Sequence, residues 1–294
     1  MQKILVTGAS GFLGSNIVSK LSKNKKIIVY GLVSKKRKKF KKIKNVNYIK
    51  CDINNIKELK KKINLNFDYI INFAGNIDHK NKSQTYRAHY KGVQNLIKII
   101  NKKKIKFFIQ IGSSLEYGNQ KAPHNENLKC FPTSHYAKSK FLASQLVQKK
   151  FKKYLILRLY QVYGPFQKID RLVPIIISSC LKNISFACTE GSQFRDFLYV
   201  DDFVDLITKI IKTKKIKSGI YNVGYGKPIE VKTVINLIKS IIKKGNPLFG
   251  KIKMRKDETL KSYPKISKVI KSFNWKPSTN IRKGLKKTIN FYEN

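Results

Sequence analysis

Acidic residues are scarce in this chain. Sixteen Asp and Glu stand against 63 Lys and Arg, a formal net charge of +47. A balance of that kind attracts nucleic acid, anionic membranes or phosphorylated substrates. The lysines, however, are spread over the whole chain beside abundant Asn and Ile, residues that share A/T-rich codons. Compositional drift accounts for them better than a binding face does, although it does not obviously explain the scarcity of acid. No helix-turn-helix, aromatic RNA-binding signature or zinc finger accompanies the charge, so a nucleic-acid role is disfavoured. Cysteine is sparser still, with four residues. Cys51, Cys130, Cys180 and Cys188 form no Cys-x-x-Cys pair, which gives no zinc site and fits a reducing cytoplasm. His79, His89, His124 and His135 lack metal-ligand spacing, so structural or surface roles are expected for all eight and no metal is expected. No apolar run approaches the ~20 residues of a membrane span. The opening Met1-Gln2-Lys3-Ile4-Leu5-Val6-Thr7-Gly8 is too short for a signal-peptide core, and a cytoplasmic location is the expectation. Internal repeats and disordered linkers are also lacking; only a short basic run at 35–44 stands out.

What is present suffices for one large or two coupled domains: 294 residues, 41% hydrophobic and 11% aromatic. An apolar strand at 2–7 runs into Gly8-Ala9-Ser10-Gly11-Phe12-Leu13-Gly14, and a helix carrying Ile17, Val18 and Leu21 follows. Strand, Gly-rich turn and helix in that order are the context a dinucleotide fingerprint requires, with the pyrophosphate at the helix N-terminus. Further strands are predicted at 26–31, 46–50, 68–73, 105–111 and 154–159. Helical patterns at 55–63, 83–103 and 134–152 separate most of them. That alternation predicts an α/β fold with a parallel, doubly wound, Rossmann-type sheet. Asp52, followed by Ile53, comes after the third strand, where a carboxylate could accept from an adenine amine or be a plain surface aspartate. After 165 the rhythm changes. Helices are expected near 171–183, 201–212, 230–243, 265–273 and 280–292, with strands at 194–200 and 219–223.

Within the helix expected at 134–152, Ser134 is a candidate N-cap. Tyr136 and Lys140 are four residues apart and share a helix face. A free tyrosine titrates near pH ~10, and an ammonium held beside it favours the phenolate. In a chain so rich in lysine the pair alone carries little weight; its surroundings decide.

Those surroundings resemble the extended short-chain dehydrogenase/reductase family, the NAD(P)-dependent nucleotide-sugar epimerases, dehydratases and reductases. Thr7–Gly14 fits the family's cofactor turn, and Asn72-Phe73-Ala74-Gly75 fits the segment beside the nicotinamide half. Gly112-Ser113-Ser114-Leu115-Glu116-Tyr117-Gly118 resembles the strand end bearing the catalytic Ser/Thr, which falls on Ser113. Tyr136 and Lys140 occupy the family's catalytic positions. Leu157-Arg158-Leu159-Tyr160-Gln161-Val162-Tyr163-Gly164-Pro165 and Arg195-Asp196-Phe197-Leu198-Tyr199-Val200-Asp201-Asp202 resemble two later signatures, and Asn274-Trp275-Lys276-Pro277 with Gly284-Leu285 the closing helices.

The resemblance implies a substrate-binding part that is smaller, C-terminal and discontinuous. Residues 1–165 plus 194–224 would hold the cofactor, and 166–193 plus 225–294 a sugar linked to a nucleoside diphosphate. It implies that Tyr136 exchanges a proton with a sugar oxygen, that Ser113 hydrogen-bonds the same oxygen, and that Lys140 binds the nicotinamide ribose. It assigns cofactor contacts to Gly8, Ser10, Gly11, Phe12, Leu13, Gly14, Asp52, Ile53, Phe73, Ala74 and Gly75. Substrate contacts fall to Ser114, Gln161, Arg195 and Arg255, the arginines on phosphate. A homodimer through the helices at 83–103 and 134–152 is the further expectation.

Two departures narrow the reaction. The dehydratase pattern puts Asp-Glu directly after the catalytic Ser/Thr, whereas this chain has Ser114 and Leu115. Glu116 is one residue too far along, and on a strand that shift turns a side chain to the other face, so a dehydratase is disfavoured. NAD-users usually end the second strand with a carboxylate on the ribose 2′-hydroxyl. Here the strand is read as ending at Gly31, with Ser34-Lys35-Lys36-Arg37 beyond it. Lys35 and Arg37 would suit a 2′-phosphate, which favours NADP over NAD and, with it, net reduction of a 4-keto sugar over 4-epimerisation. Gln161 and His89 stand where the family commonly has Asn. A non-catalytic NADP-binding or basic scaffold protein is disfavoured, because Ser113, Tyr136 and Lys140 are all present.

Overall fold

A computed structural model describes residues 1–35, 40–75, 82–254 and 258–293. The chain opens with β1 (Gln2–Thr7), α1 (Phe12–Leu21), β2 (Ile27–Val33) and β3 (Val46–Lys50). Next come α2 (Ile56–Lys62), β4 (Tyr69–Asn72), α3 (Lys82–Tyr86), a π-helical turn (Arg87–Lys91) and α4 (Gly92–Ile99). β5 (Phe107–Ser113), a 3-10 turn (Ser114–Tyr117), α5 (His135–Lys150) and β6 (Tyr154–Leu159) follow. A seven-stranded sheet has the order Gly219–Val223, β6, β5, β4, β1, β2, β3. The registers from β3 to β6 are parallel throughout, with Leu5 lying between Tyr30 and Ile70. The order reverses beside β1, which is the doubly wound arrangement.

The strands are apolar on both faces because helices cover both. On one side Leu5, Ile70, Phe108 and Ile156, from four adjacent strands, join Val93 and Leu96 of α4 and Ala143 and Val147 of α5 in a single buried cluster. Each large side chain so buried contributes about 1.5–3 kcal/mol. Local signals set the helix ends. Asn55 accepts from the Glu58 N–H to cap α2, and Ser134 accepts from the Ala137 N–H to cap α5.

The chain divides into two contact units. The first comprises Met1–Gly118, Glu126–Leu159 and Ile207–Tyr221; the second comprises Asn119–Asn125, Tyr160–Leu206 and Asn222–Asn294. In the second, α6 (Leu172–Leu181) packs on α8 (Val231–Ile242) and α10 (Ile281–Glu293). Asp202, at the start of α7 (Val200–Lys212), accepts from the backbone and hydroxyl groups of Ser278 and Thr279. Trp275 donates its indole N–H to the Asp202 carbonyl at 3.0 Å. α9 (Ser267–Phe273) ends on Asn274 in the left-handed region.

Several elements differ from their expected form, among them β5, which runs over Phe107–Ser113 rather than 105–111. The strand expected at 194–200 is two short ones, Phe194–Arg195 and Phe197–Tyr199. Asp196 between them turns inward to accept from the Tyr225 and Gly226 N–H groups at 2.5 and 2.6 Å. The helix expected at 83–103 is interrupted by the π-helical turn and ends near Ile99. β2 continues two residues beyond Gly31, to Val33, which pairs with Lys50 of β3 and accepts from the Cys51 N–H at 2.9 Å.

Candidate active site

The Gly-rich turn is held by close packing. Gly8 has φ +65°, and a Cβ there would lie 2.9 Å from the Phe73 carbonyl. At Gly14 a Cβ would lie 2.2 Å from the Gly8 oxygen, so only glycine lets α1 come this near the turn. Gly11 is the N-cap of α1, no side chain caps it, and the first turn holds no acid. Phe12, Leu13 and Gly14 therefore present an uncompensated helix start, which suits an anionic group. Ser10 lies in the same turn, half-buried.

Three polar side chains, of which the sequence analysis passed over Gln110, hold the neighbouring strand ends together. Thr7 Oγ1 donates to Asn72 Oδ1 at 2.5 Å and accepts from the Ala74 N–H at 3.0 Å. Asn72 Nδ2 donates to Gln110 Oε1 at 2.8 Å. This chain fixes Phe73-Ala74-Gly75 beside the turn. Its sequence signal was a polar residue in otherwise apolar strands, as in Phe108-Ile109-Gln110-Ile111. The glycine cradle and the bare helix start fit a dinucleotide pyrophosphate.

β2 ends at Val33 rather than Gly31, Ser34 follows it, and no carboxylate ends the strand. Lys35 Nζ lies 2.9 Å from Glu58 Oε1, which Lys62 also approaches at 2.9 Å. The hydrogen bonds from Lys35 and then Lys62 hold the Glu58 carboxyl down at about 2. Lys35 thus shares its charge with a carboxylate. Arg37 falls outside the described residues. Asp52 Oδ1 accepts from the Asn54 N–H at 3.0 Å and closes its own turn. Ile53 is tied to α4, its carbonyl accepting from Asn95 Nδ2 and its side chain lying against Gly92.

Ser113 stands on β5, and Tyr136 and Lys140 stand on α5, which packs against that strand. Ser113 is the last residue of β5 and the N-cap of the 3-10 turn, its Oγ accepting from the Leu115 N–H at 3.2 Å. Lys140 is buried, and its Nζ donates to the Ile111 carbonyl at 3.0 Å, two residues before Ser113. Burial pushes the Lys140 ammonium down to about 8, with Glu116 opposing. Tyr136, one helical turn earlier, is half-buried with its ring centroid 6.0 Å from Lys140 Nζ. His89, which the π-helical turn brings inward, stands edge-on to the Tyr136 ring at 5.1 Å and 85°. Its imidazole also fills the space that a Cβ on Gly75 would need.

The face-alternation argument about Glu116 does not hold, because 114–117 is a 3-10 turn rather than strand. The carboxylate is committed elsewhere in the fold. Glu116 folds back in a capping box onto the Ser113 N–H at 2.8 Å and pairs with Arg158 Nε at 3.1 Å, fully buried. Ser114 is half-buried in the same turn.

The remaining substrate candidates lie in the second unit. Gln161 is exposed in a short strand, Gln161–Tyr163, parallel to Phe197–Tyr199. Arg195 ion-pairs with Glu258 and donates to the Phe194 carbonyl at 2.8 Å. Arg255 falls outside the described residues. Among the described residues no helix is long and apolar enough to cross a membrane.

The sequence profile of the NAD dependent epimerase/dehydratase family matches residues 4–224. A CDP-abequose synthase of Salmonella muenchen is 28% identical over 304 residues, covering 99% of this chain and 98% of that protein. A putative UDP-glucose 4-epimerase of Methanocaldococcus jannaschii is 30% identical over 312 residues, again covering 99% and 98%. Among solved structures, the UDP-glucuronic acid 4-epimerase of Bacillus cereus, in complex with UDP-glucuronic acid and NAD, superposes with a TM-score of 0.86 at 24% identity over 99% of each chain.

Proposed function

The chain belongs to the NAD dependent epimerase/dehydratase family, and within it we propose that it reduces the 4-keto group of a sugar linked to a nucleoside diphosphate, using NADPH. The observation that carries the choice of cofactor is the end of β2, where Val33-Ser34 stands and no carboxylate would repel a 2′-phosphate. Lys35 and Arg37 are the proposed partners of that phosphate, Lys35 exchanging Glu58 for it. Gly8–Gly14, with Phe73–Gly75, would seat the rest of the dinucleotide, and Asp52 would meet its adenine. Bound, the nicotinamide supplies the hydride.

The chain's own groups then have distinct tasks. Tyr136 gives its phenolic proton to the oxygen that becomes the new hydroxyl. Ser113 donates a hydrogen bond to the same oxygen and orients it. Lys140 supplies the positive charge that stabilises Tyr136 after it has lost the proton. Elimination would need a second acid and base beside Ser113. Ser114 and Leu115 hold those places, and Glu116 is committed to Arg158. Arg195 and Arg255 are proposed to bind the diphosphate, and Ser114 and Gln161 to contact the sugar. The homodimer expected through the helices at 83–103 and 134–152 belongs to the same reading.

A 4-epimerase is the second reading, and the names of the relatives favour it, since a putative UDP-glucose 4-epimerase is 30% identical. It would use the same three side chains. The two readings separate in one assay. The purified protein is given NADPH or NADH with a panel of nucleoside-diphosphate 4-keto sugars, and separately the parent hexoses. Stoichiometric NADPH oxidation supports the reductase; interconversion of hexoses without net cofactor oxidation supports the epimerase. Absence of both, with no cofactor bound, sinks the oxidoreductase reading altogether.

A further inference from the structure

Glu116 is a fully buried carboxylate with a second relationship that the roles above leave unused. Its Oε2 accepts from Arg158 Nε at 3.1 Å. Its Oε1 faces the other way and accepts from the Ser113 N–H at 2.8 Å and from Ser144 Oγ at 3.3 Å. Ser144 lies one turn beyond Lys140 on the buried face of α5. One oxygen is thus committed to the guanidinium, and the other is turned toward the strand end and the helix that carry the catalytic groups. Gly112 makes the room, since a Cβ there would stand 2.6 Å from Glu116 Oε1.

Lys140 needs such a partner. Its ammonium is buried, and its acceptor, the Ile111 carbonyl, is neutral. Desolvation disfavours the charged form, and a nearby opposite charge is what offsets it. Around this group β5 brings no ionisable side chain, its sequence being Phe-Phe-Ile-Gln-Ile-Gly-Ser. The 3-10 turn brings Glu116 and Tyr117, β6 brings Arg158, the π-helical turn brings His89, and α5 itself brings Tyr136. Arg158 stacks over the Tyr117 ring at 4.5 Å, and Cys130 lies within its electrostatic reach. Glu116 is the acid of this set.

We propose that Glu116 is the counter-charge of the Lys140 ammonium, a carboxylate locked by Arg158 so that its other oxygen, Oε1, turned to α5, keeps the lysine charged beside Tyr136 while holding the Ser113 backbone in place. The inference rests on the oxidoreductase reading for its use, but not for its measurement. Glu116 is a positioning residue; it acts through Lys140 and Ser113.

The test follows Lys140 directly. In protein labelled with 13C at the lysine ε-carbon, the Lys140 signal is identified by its loss in Lys140→Arg and titrated with pH. In Glu116→Gln the midpoint falls by about one pH unit, the lower end of what an opposite charge does nearby. The alkaline limb of kcat moves the same way. Because Glu116→Gln strands the buried guanidinium, Glu116→Gln/Arg158→Met is measured beside it, with circular dichroism to verify the fold. Its midpoint falls less but with the same sign, since Oε1 is the oxygen turned to α5. A Lys140 midpoint that stays put in a folded double variant overturns the proposal, whatever the activity does. A midpoint that moves in a protein showing no turnover on any sugar supports the counter-charge and counts against the oxidoreductase reading instead.

Discussion

Lys140 Nζ donates to the carbonyl oxygen of Ile111 at 3.0 Å, which pins helix α5 to strand β5 two residues before Ser113. That bond is made by a side chain from position 140 to a strand residue 29 positions earlier. It sets the height of α5 against the sheet edge, and so the place of Tyr136, one turn closer to the helix start.

Tyr136→Phe is expected to lose turnover by at least about 100-fold, the low end of what a positioned acid contributes. The ring stays, so its edge-on contact with His89 and the cofactor turn persist. Steady-state kinetics and fluorescence titration with NADPH check both halves. Cofactor affinity should remain within a few-fold; substantial residual activity would remove Tyr136 from the proton-transfer role.

Glu58→Gln is expected to tighten NADPH binding several-fold and leave NADH nearly unchanged, because Lys35 is released from its carboxylate. The same pair has a defined pH signature. The folded carboxyl is held at about 2 against an ordinary 4.5, so its stabilising contribution is complete above about 4.5. It disappears as pH falls toward 2. Denaturation of wild type and Glu58→Gln should therefore differ near pH 6 and converge near pH 2.

Glu258→Gln tests the readiness of Arg195. The guanidinium now pairs with Glu258 and with the Phe194 carbonyl. Removing the competing carboxylate is expected to lower KM for a nucleotide sugar several-fold with kcat little changed. Arg195→Lys, which cannot grip phosphate in the same bidentate way, should raise KM by about tenfold. An unchanged KM in both variants would take Arg195 out of substrate binding.

Asp202→Ala is expected to cost roughly 3 kcal/mol, read from urea denaturation. The substitution leaves the buried Thr279 N–H and hydroxyl without their charged acceptor, and removes the bonds that Asp202 takes from the exposed Ser278. A loss below about 1 kcal/mol would show that the 275–280 turn is held by Trp275 and its neighbours instead.

Much of this protein was legible because its signals are local. β1, the glycine turn and α1 follow from an apolar run, three small residues and a 3.6-residue period within about twenty positions. The β3 and β6 boundaries match their expected limits, since an apolar strand bounded by polar residues carries its own ends. The strand expected at 194–200 failed for the opposite reason. Asp196 turns inward to meet backbone N–H groups some thirty positions away, and no periodicity announces a partner at that range. The break in the helix at 87–91 was hidden for a related cause, since a π-helical turn adds no residue type of its own.

By itself the sequence determined the α/β class and marked the glycine turn, Ser113, Tyr136 and Lys140 as candidates, because each is written in short-range pattern and residue chemistry. The tertiary structure alone decided what the charged groups near them do. Glu116 could have been an exposed acid beside the strand end; it is a buried partner of Arg158, 42 positions away. Lys35 could have been an open phosphate site; it shares its charge with Glu58. The reason is physical. A charge interacts through space and through the burial around it, and both are set by which distant segments the fold brings beside it.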